Sequence, residues 1–158
     1  MKNYVLKVRL KDTDIWRTLA IPADCGFFDL HEVIQTAFGW ADFYYHEFTA
    51  GGTTIADDAN EEPDLLPEKF RYEYEANLEF FLKNVKSMTY VYDLEQPWVH
   101  EVEIEGVLEE GFDIPVLLDG GGRMIEEIVL DDCETSVDTG APLNKEMINA
   151  MLAEMFVP

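Results

Sequence analysis

Three histidines, His31, His46 and His100, are each followed by a glutamate in a chain that carries 33 acidic residues. Imidazole and carboxylate together suit two chemistries, a divalent-metal site or a general acid/base pair. No two of the three stand at ligand spacing along the chain, so the sequence carries no metal motif and indicates no cofactor. The G-x-S-x-G, H-E-x-x-H and P-loop patterns are absent, and Gly120-Gly121-Gly122 has neither a lysine nor a following helix cap to hold phosphate. Cys25 and Cys133 lie far apart without C-x-x-C spacing or a histidine partner, which excludes a zinc knuckle or redox motif. His100 alternates with Trp98, Val102 and Ile104 on one strand face, and on a buried face its ring needs a partner such as Asp93 across the hairpin or a tyrosine hydroxyl. His46 sits among Phe43, Tyr44, Tyr45 and Phe48. An unpaired buried imidazole costs about 1–3 kcal/mol, so the two rings are expected near each other and near Asp93. His46, Asp93, Trp98 and His100 form the candidate site. His31, on the shoulder of a helical stripe, reads as a boundary histidine bonded to backbone.

The elements that must position these residues follow from periodicity. Tyr4, Leu6, Val8 and Leu10 alternate with Lys7 and Arg9, the period of a half-buried strand, and Asp12-Thr13-Asp14 turns the chain into a return strand over 15–21 that Pro22 closes. The period then changes. Leu30, Val33, Ile34, Ala37 and Phe38 mark one helical stripe near 27–38, with Gly39 as its C-terminal cap and Trp40 able to fold back on the last turn. A third strand is expected near 43–49, then a solvated acidic loop over 51–67. Phe70, Tyr72 and Tyr74 suggest a short strand, and Asn77 caps a short helix carrying Leu78, Phe81 and Leu82. A second hairpin spans 88–105, turning at Glu95-Gln96-Pro97, and Met124 to Leu130 could be one further strand. A second acidic loop, 131–138, leads to a closing helix whose stripe of Met147, Ile148, Met151, Leu152 and Met155 is read as core. The expected fold is α+β: one domain over 1–158, built from β-hairpins, with a ββαβ, β-grasp-like N-terminal half and a C-terminal helix.

Several of these segments resemble one family when read in order. They are Ile15-Trp16-Arg17, the run Leu30-His31-Glu32-Val33-Ile34-Gln35-Thr36-Ala37-Phe38-Gly39-Trp40, His46-Glu47-Phe48, and Tyr92-Asp93 followed by Trp98-Val99-His100-Glu101. Their order and spacing resemble the plasmid pRi ORF-three-like family, largely uncharacterised bacterial and archaeal proteins. The resemblance covers most of residues 4–130 and implies an α+β fold with no established activity. Where that family reads Y-D-F-G-D-x-W-x-H, this chain has Tyr92-Asp93-Leu94-Glu95-Gln96-Pro97-Trp98-Val99-His100, without the glycine and the second aspartate of the turn.

Eleven basic residues against 33 acidic ones leave a formal charge of −22, and no basic patch suited to nucleic-acid phosphates exists. Direct nucleic-acid binding is therefore not expected. No window approaches the roughly 20 apolar residues a membrane span needs, and the N-terminus has no apolar leader segment. With unpaired cysteines, the chain is expected in the cytoplasm. A 47% hydrophobic composition puts the acidity on the surface of a folded body. Such a surface favours an acidic binding or regulatory module that meets a basic protein partner. The alternative is a small hydrolase-type or metal-binding enzyme using a His/Asp pocket.

Overall fold

The computed structural model describes residues 1–42, 44–57, 69–93, 97–130 and 133–156, with 125–130 and 133–139 as backbone only. Strand β1 (Asn3–Leu10) pairs with β2 (Trp16–Pro22) across the first turn. Tyr4, Leu6, Val8 and Leu10 are buried as their alternation requires. Helix α1 (Phe27–Phe38) follows and buries Phe27, Leu30, Val33, Ile34, Ala37 and Phe38. Full burial of each large aliphatic or aromatic side chain contributes roughly 1.5–3 kcal/mol, which explains why this helix forms against the sheet. Asp29 accepts from the Gly26 amide at its start. Gly39, with φ of 82°, ends it, and the Trp40 amide reaches back to the Gln35 carbonyl at 2.8 Å.

Strands β3 (His46–Ala50) and β4 (Thr53–Ala56) form a tight hairpin, and β5 (Phe70–Tyr72) runs parallel to β4. Helix α2 (Leu78–Asn84) starts at Asn77, whose side chain accepts from the Phe80 amide. The second hairpin is β6 (Ser87–Tyr92) and β7 (Trp98–Leu108), followed by β8 (Val116–Gly121). Among the described residues, strands β9 (Arg123–Leu130) and β10 (Cys133–Pro142) pair only with each other, and α3 (Lys145–Met155) follows them. The main sheet has the order β5-β4-β3-β6-β7-β1-β2-β8. β1 and β3 are thus separated by β6 and β7, and the segments β1, β2, α1 and β3, consecutive in the chain, do not form a self-contained unit of the sheet. Among the described residues no helix is long and apolar enough to cross a membrane.

Three expectations need correction. Thr53 to Ala56 is a strand rather than the start of an acidic loop, because the Gly51-Gly52 turn folds it back onto β3. Residues 133–138 extend β10 instead of looping, because β9 supplies a full antiparallel partner. In α3 only Ile148 and Leu152 are buried, while Met147, Met151 and Met155 are exposed, since the helix touches the body along one narrow line. The turn expected at 95–97 falls largely outside the described residues, as does most of the loop expected over 51–67.

Arg17 shows how the sheet is tied to the helix. Its side chain is fully buried and donates to the carbonyls of Ala37, Trp16 and Gly121, each at 2.8 Å, while its guanidinium lies over the Phe38 ring. Ala37 is in the last turn of α1, where the helix dipole favours a cation. Burial pushes Arg17 down to about 10, still protonated at neutral pH.

Candidate metal centre

α1 presents two polar side chains inward, His31 and Gln35, one turn apart. His31 faces Tyr90 on β6, and its Nδ1 lies 2.7 Å from the tyrosine oxygen. Its Nε2 lies 2.9 Å from Oδ1 of Asp42, in the connection to β3. A carboxylate can only accept, so Nε2–H donates to Asp42 and Nδ1 accepts the Tyr90 hydroxyl proton. Gln35 completes the arrangement: its Nε2 donates to the Tyr90 oxygen at 2.9 Å, and its Oε1 accepts the Asp42 amide at 2.8 Å. Asp42 itself sits at φ of 55°, a left-handed conformation that Gln35 helps to hold. His31 is therefore not a backbone-bonded boundary residue, as its place on the helical stripe suggested. It is completely buried because His46 of β3 stacks on its ring and Tyr90 of β6 packs beside it.

His46 opens β3 and stacks flat on His31, with ring centroids 3.5 Å apart and planes 7° apart. Its Nε2 is hydrogen-bonded to Oε1 of Glu73, in the turn after β5, whose amide donates to the Ala56 carbonyl at 2.8 Å. His46 and Glu73 are both buried, and Oε2 of Glu73 has no hydrogen-bond partner among the described residues. Burial, and then the charge of His46, push His31 down to about 3, so its ring is neutral near neutral pH. Burial raises the Asp42 carboxyl, against the opposing effect of His46.

The donor atoms of His31, Asp42 and His46 all lie within 4.8 Å of one another, and Glu73 adjoins them through His46. Metal–nitrogen and metal–oxygen bonds are roughly 2.0–2.2 Å, so small side-chain adjustments would bring such donors onto one ion. The donor set is two imidazoles and two carboxylates with no thiolate, which suits divalent first-row ions such as Zn²⁺, Fe²⁺ or Mn²⁺. With an ion on Nε2, the ring proton of His31 would sit on Nδ1 and donate to the Tyr90 oxygen, the contact that orients a ligating ring. Three of the four side chains are enclosed, whereas Asp42 is 43% exposed and forms the solvent side. Linear spacing gave no ligand pair; the fold collects one residue each from α1, the α1–β3 connection, β3 and the turn after β5.

Of the sequence-derived candidates, the structure brings His46 into this cluster. His100 is on the same sheet face, across Tyr90: the His46 and His100 rings lie 6.1 and 5.2 Å from the Tyr90 ring. Its Nδ1 donates to the Tyr90 carbonyl at 3.3 Å, its Nε2 has no partner among the described residues, and its ring meets Phe38 edge-on at 4.8 Å. Burial pushes His100 down to about 4. Trp98, opposite Tyr92, packs on Trp40 at 5.0 Å. Asp93 follows β6 at φ of 68° and donates its amide to the Tyr45 carbonyl at 2.8 Å. Sequence reasoning missed Asp42, Glu73, Gln35 and Tyr90. One signal was available: His31 and Gln35 interrupt, at i and i+4, a helix that is otherwise apolar on its inward side.

A search of curated proteins finds no match. Among solved structures, the chain resembles a protein of unknown function, MM3350, from Methanosarcina mazei Go1. The identity is 30% and the TM-score 0.64, over 75% of this chain and 69% of that one. The family profile described as plasmid pRiA4b ORF-3-like protein matches residues 2–135, which include the whole cluster of His31, Asp42, His46 and Glu73. The chain belongs to the plasmid pRiA4b ORF-3-like protein family.

Proposed function

We propose that this protein binds a divalent first-row transition-metal ion through His31, His46, Asp42 and Glu73. The observation that carries this reading is the convergence of two stacked, buried imidazoles on two carboxylates, one of which keeps a buried oxygen without a partner. The Nε2 contacts of His31 and His46 to carboxylate oxygens lie side by side where one cation would take their place, and with an ion on Nε2 the His31 ring would keep its proton on Nδ1. The exposed Asp42 gives water access to the bound ion, which supports metal-assisted hydrolysis as the enzymatic form of this reading. The test is to strip the protein with chelator, titrate Zn²⁺, Mn²⁺ and Co²⁺, and follow melting temperature and the Co²⁺ absorption spectrum. An ion at about 100 times its Kd stabilises the fold by about 2.7 kcal/mol, worth roughly 5–11 °C at this chain length. His46→Ala and Glu73→Gln should abolish the shift while retaining the native circular dichroism. No shift with any of the three ions, and no metal retained after dialysis, overturns the proposal.

A second reading concerns the surface. The net charge of −22 supports a basic protein partner and argues against direct nucleic-acid binding. A row of exposed methionines on α3 gives such a partner a place to land. The Cys25 thiol is free, which supports a reducing compartment, the cytoplasm; burial, then Asp29 and Asp24, push it up to about 12, which keeps it protonated and unreactive.

A further inference from the structure

The methionines of α3 fall at intervals of four: Met147, Met151 and Met155 are 48%, 45% and 43% exposed and form one stripe beside the buried Ile148 and Leu152. That stripe continues onto α1. Sδ of Met155 lies 3.2 Å from Oγ1 of Thr36, and Thr36 shares a helical row with Glu32 and with Phe28, which is 48% exposed. The methionine row thus abuts α1 at Thr36, with Phe28 exposed two turns further along that helix beyond Glu32, and three exposed methionines in one row are more than scattered single apolar residues. Methionine suits an adaptable contact because its unbranched, polarisable side chain moulds to different partners.

The charges beside the row say what would cover it. Glu146 and Glu154 flank the methionines on α3, and on α1 Glu32 lies within the row with Asp29 beside it. A second copy of this chain would bring a further −22 against the same surface. We propose that the Met147–Met151–Met155 row and the Phe28–Glu32–Thr36 row together form a docking surface for a basic amphipathic helix of another protein. Apolar anchors at i, i+3 or i+4, and i+7 of that helix meet the methionines and Phe28, and its lysines or arginines meet the bordering glutamates. This inference rests on the basic-partner reading above and is independent of the metal site.

The probe is a helical peptide of about 18 residues with leucines on one face and lysines on the other, compared with the same residues scrambled to destroy the apolar face. Titration calorimetry of the full chain at about 0.15 M salt should give binding of the amphipathic peptide at least about tenfold tighter than of the scrambled one. Met147→Gln/Met151→Gln, which changes neither charge nor core, should remove that preference with circular dichroism unchanged. Equal binding of both peptides, or a preference that survives the double substitution, overturns the docking surface while leaving the basic-partner reading in place. If neither peptide binds, both fall. A dimer in sedimentation that the double substitution dissolves also overturns it, because the occupant would then be a second copy.

Discussion

Replacing Tyr90 by Phe removes one oxygen from the middle of the polar core and nothing else. That oxygen accepts from Gln35 at 2.9 Å and donates to His31 at 2.7 Å, and all three residues are buried. The ring keeps its volume, so loss of packing is small. What remains is an imidazole nitrogen and an amide N–H stripped of their partner where water does not reach, at about 1–3 kcal/mol each. The sum is about 2–6 kcal/mol, and at roughly 2–4 °C per kcal/mol for a chain of this length the melting temperature should fall by about 4–24 °C. Urea unfolding supplies the free energy directly. A double-mutant cycle with Gln35→Met should show coupling of about 0.5–3 kcal/mol, since both changes act on one network. The same variant should bind the proposed metal about 10–100-fold more weakly, because His31 loses the contact that orients its ring. A fall of less than about 2 °C, which corresponds to under about 1 kcal/mol, with no coupling to Gln35, would refute the claim that this hydrogen-bond chain holds His31 in place.

Acid should destabilise the fold through its buried histidines. His100 is lowered to about 4 and His31 to about 3, whereas the unfolded chain protonates both near 6.5. The unfolded state therefore binds more protons as pH drops below about 6.5, and stability is lost from there down to the folded values at about 1.4 kcal/mol per pH unit per histidine. Denaturant titrations across this range should show a slope smaller by about one proton in His100→Leu, and an unchanged slope would count against its burial as a neutral ring. Arg17→Lys should cost about 2–4 kcal/mol in urea unfolding, because one ammonium cannot serve the carbonyls of Ala37, Trp16 and Gly121 that the guanidinium spans; wild-type stability would contradict the pin assigned to it. Gly122→Ala should cost about 1–3 kcal/mol, since φ there is +85° and a Cβ would sit 2.8 Å from the Ile15 backbone; a neutral result by thermal melting would show that this corner yields.

Local structure was legible in the sequence because it depends on neighbours a few residues apart. The alternation of Tyr4, Leu6, Val8 and Leu10 gave β1, the stripe from Leu30 to Phe38 gave α1, and the caps at Gly39 and Asn77 fixed two helix ends. The net charge and the family resemblance are likewise properties of the linear chain. Thr53 to Ala56 and Cys133 to Pro142 escaped because their strand character comes from a partner strand and not from their own pattern. The methionines of α3 and the buried leucine and isoleucine beside them share one helical periodicity, and only the angle at which the helix lands on the body separates core from surface. The cluster of His31, Asp42, His46 and Glu73 depends most on tertiary structure. A 42-residue range of sequence separates its ends, and the strand order that places β3 beside β6 and carries the turn after β5 to His46 is set by long-range backbone pairing, to which no short window of residues is sensitive.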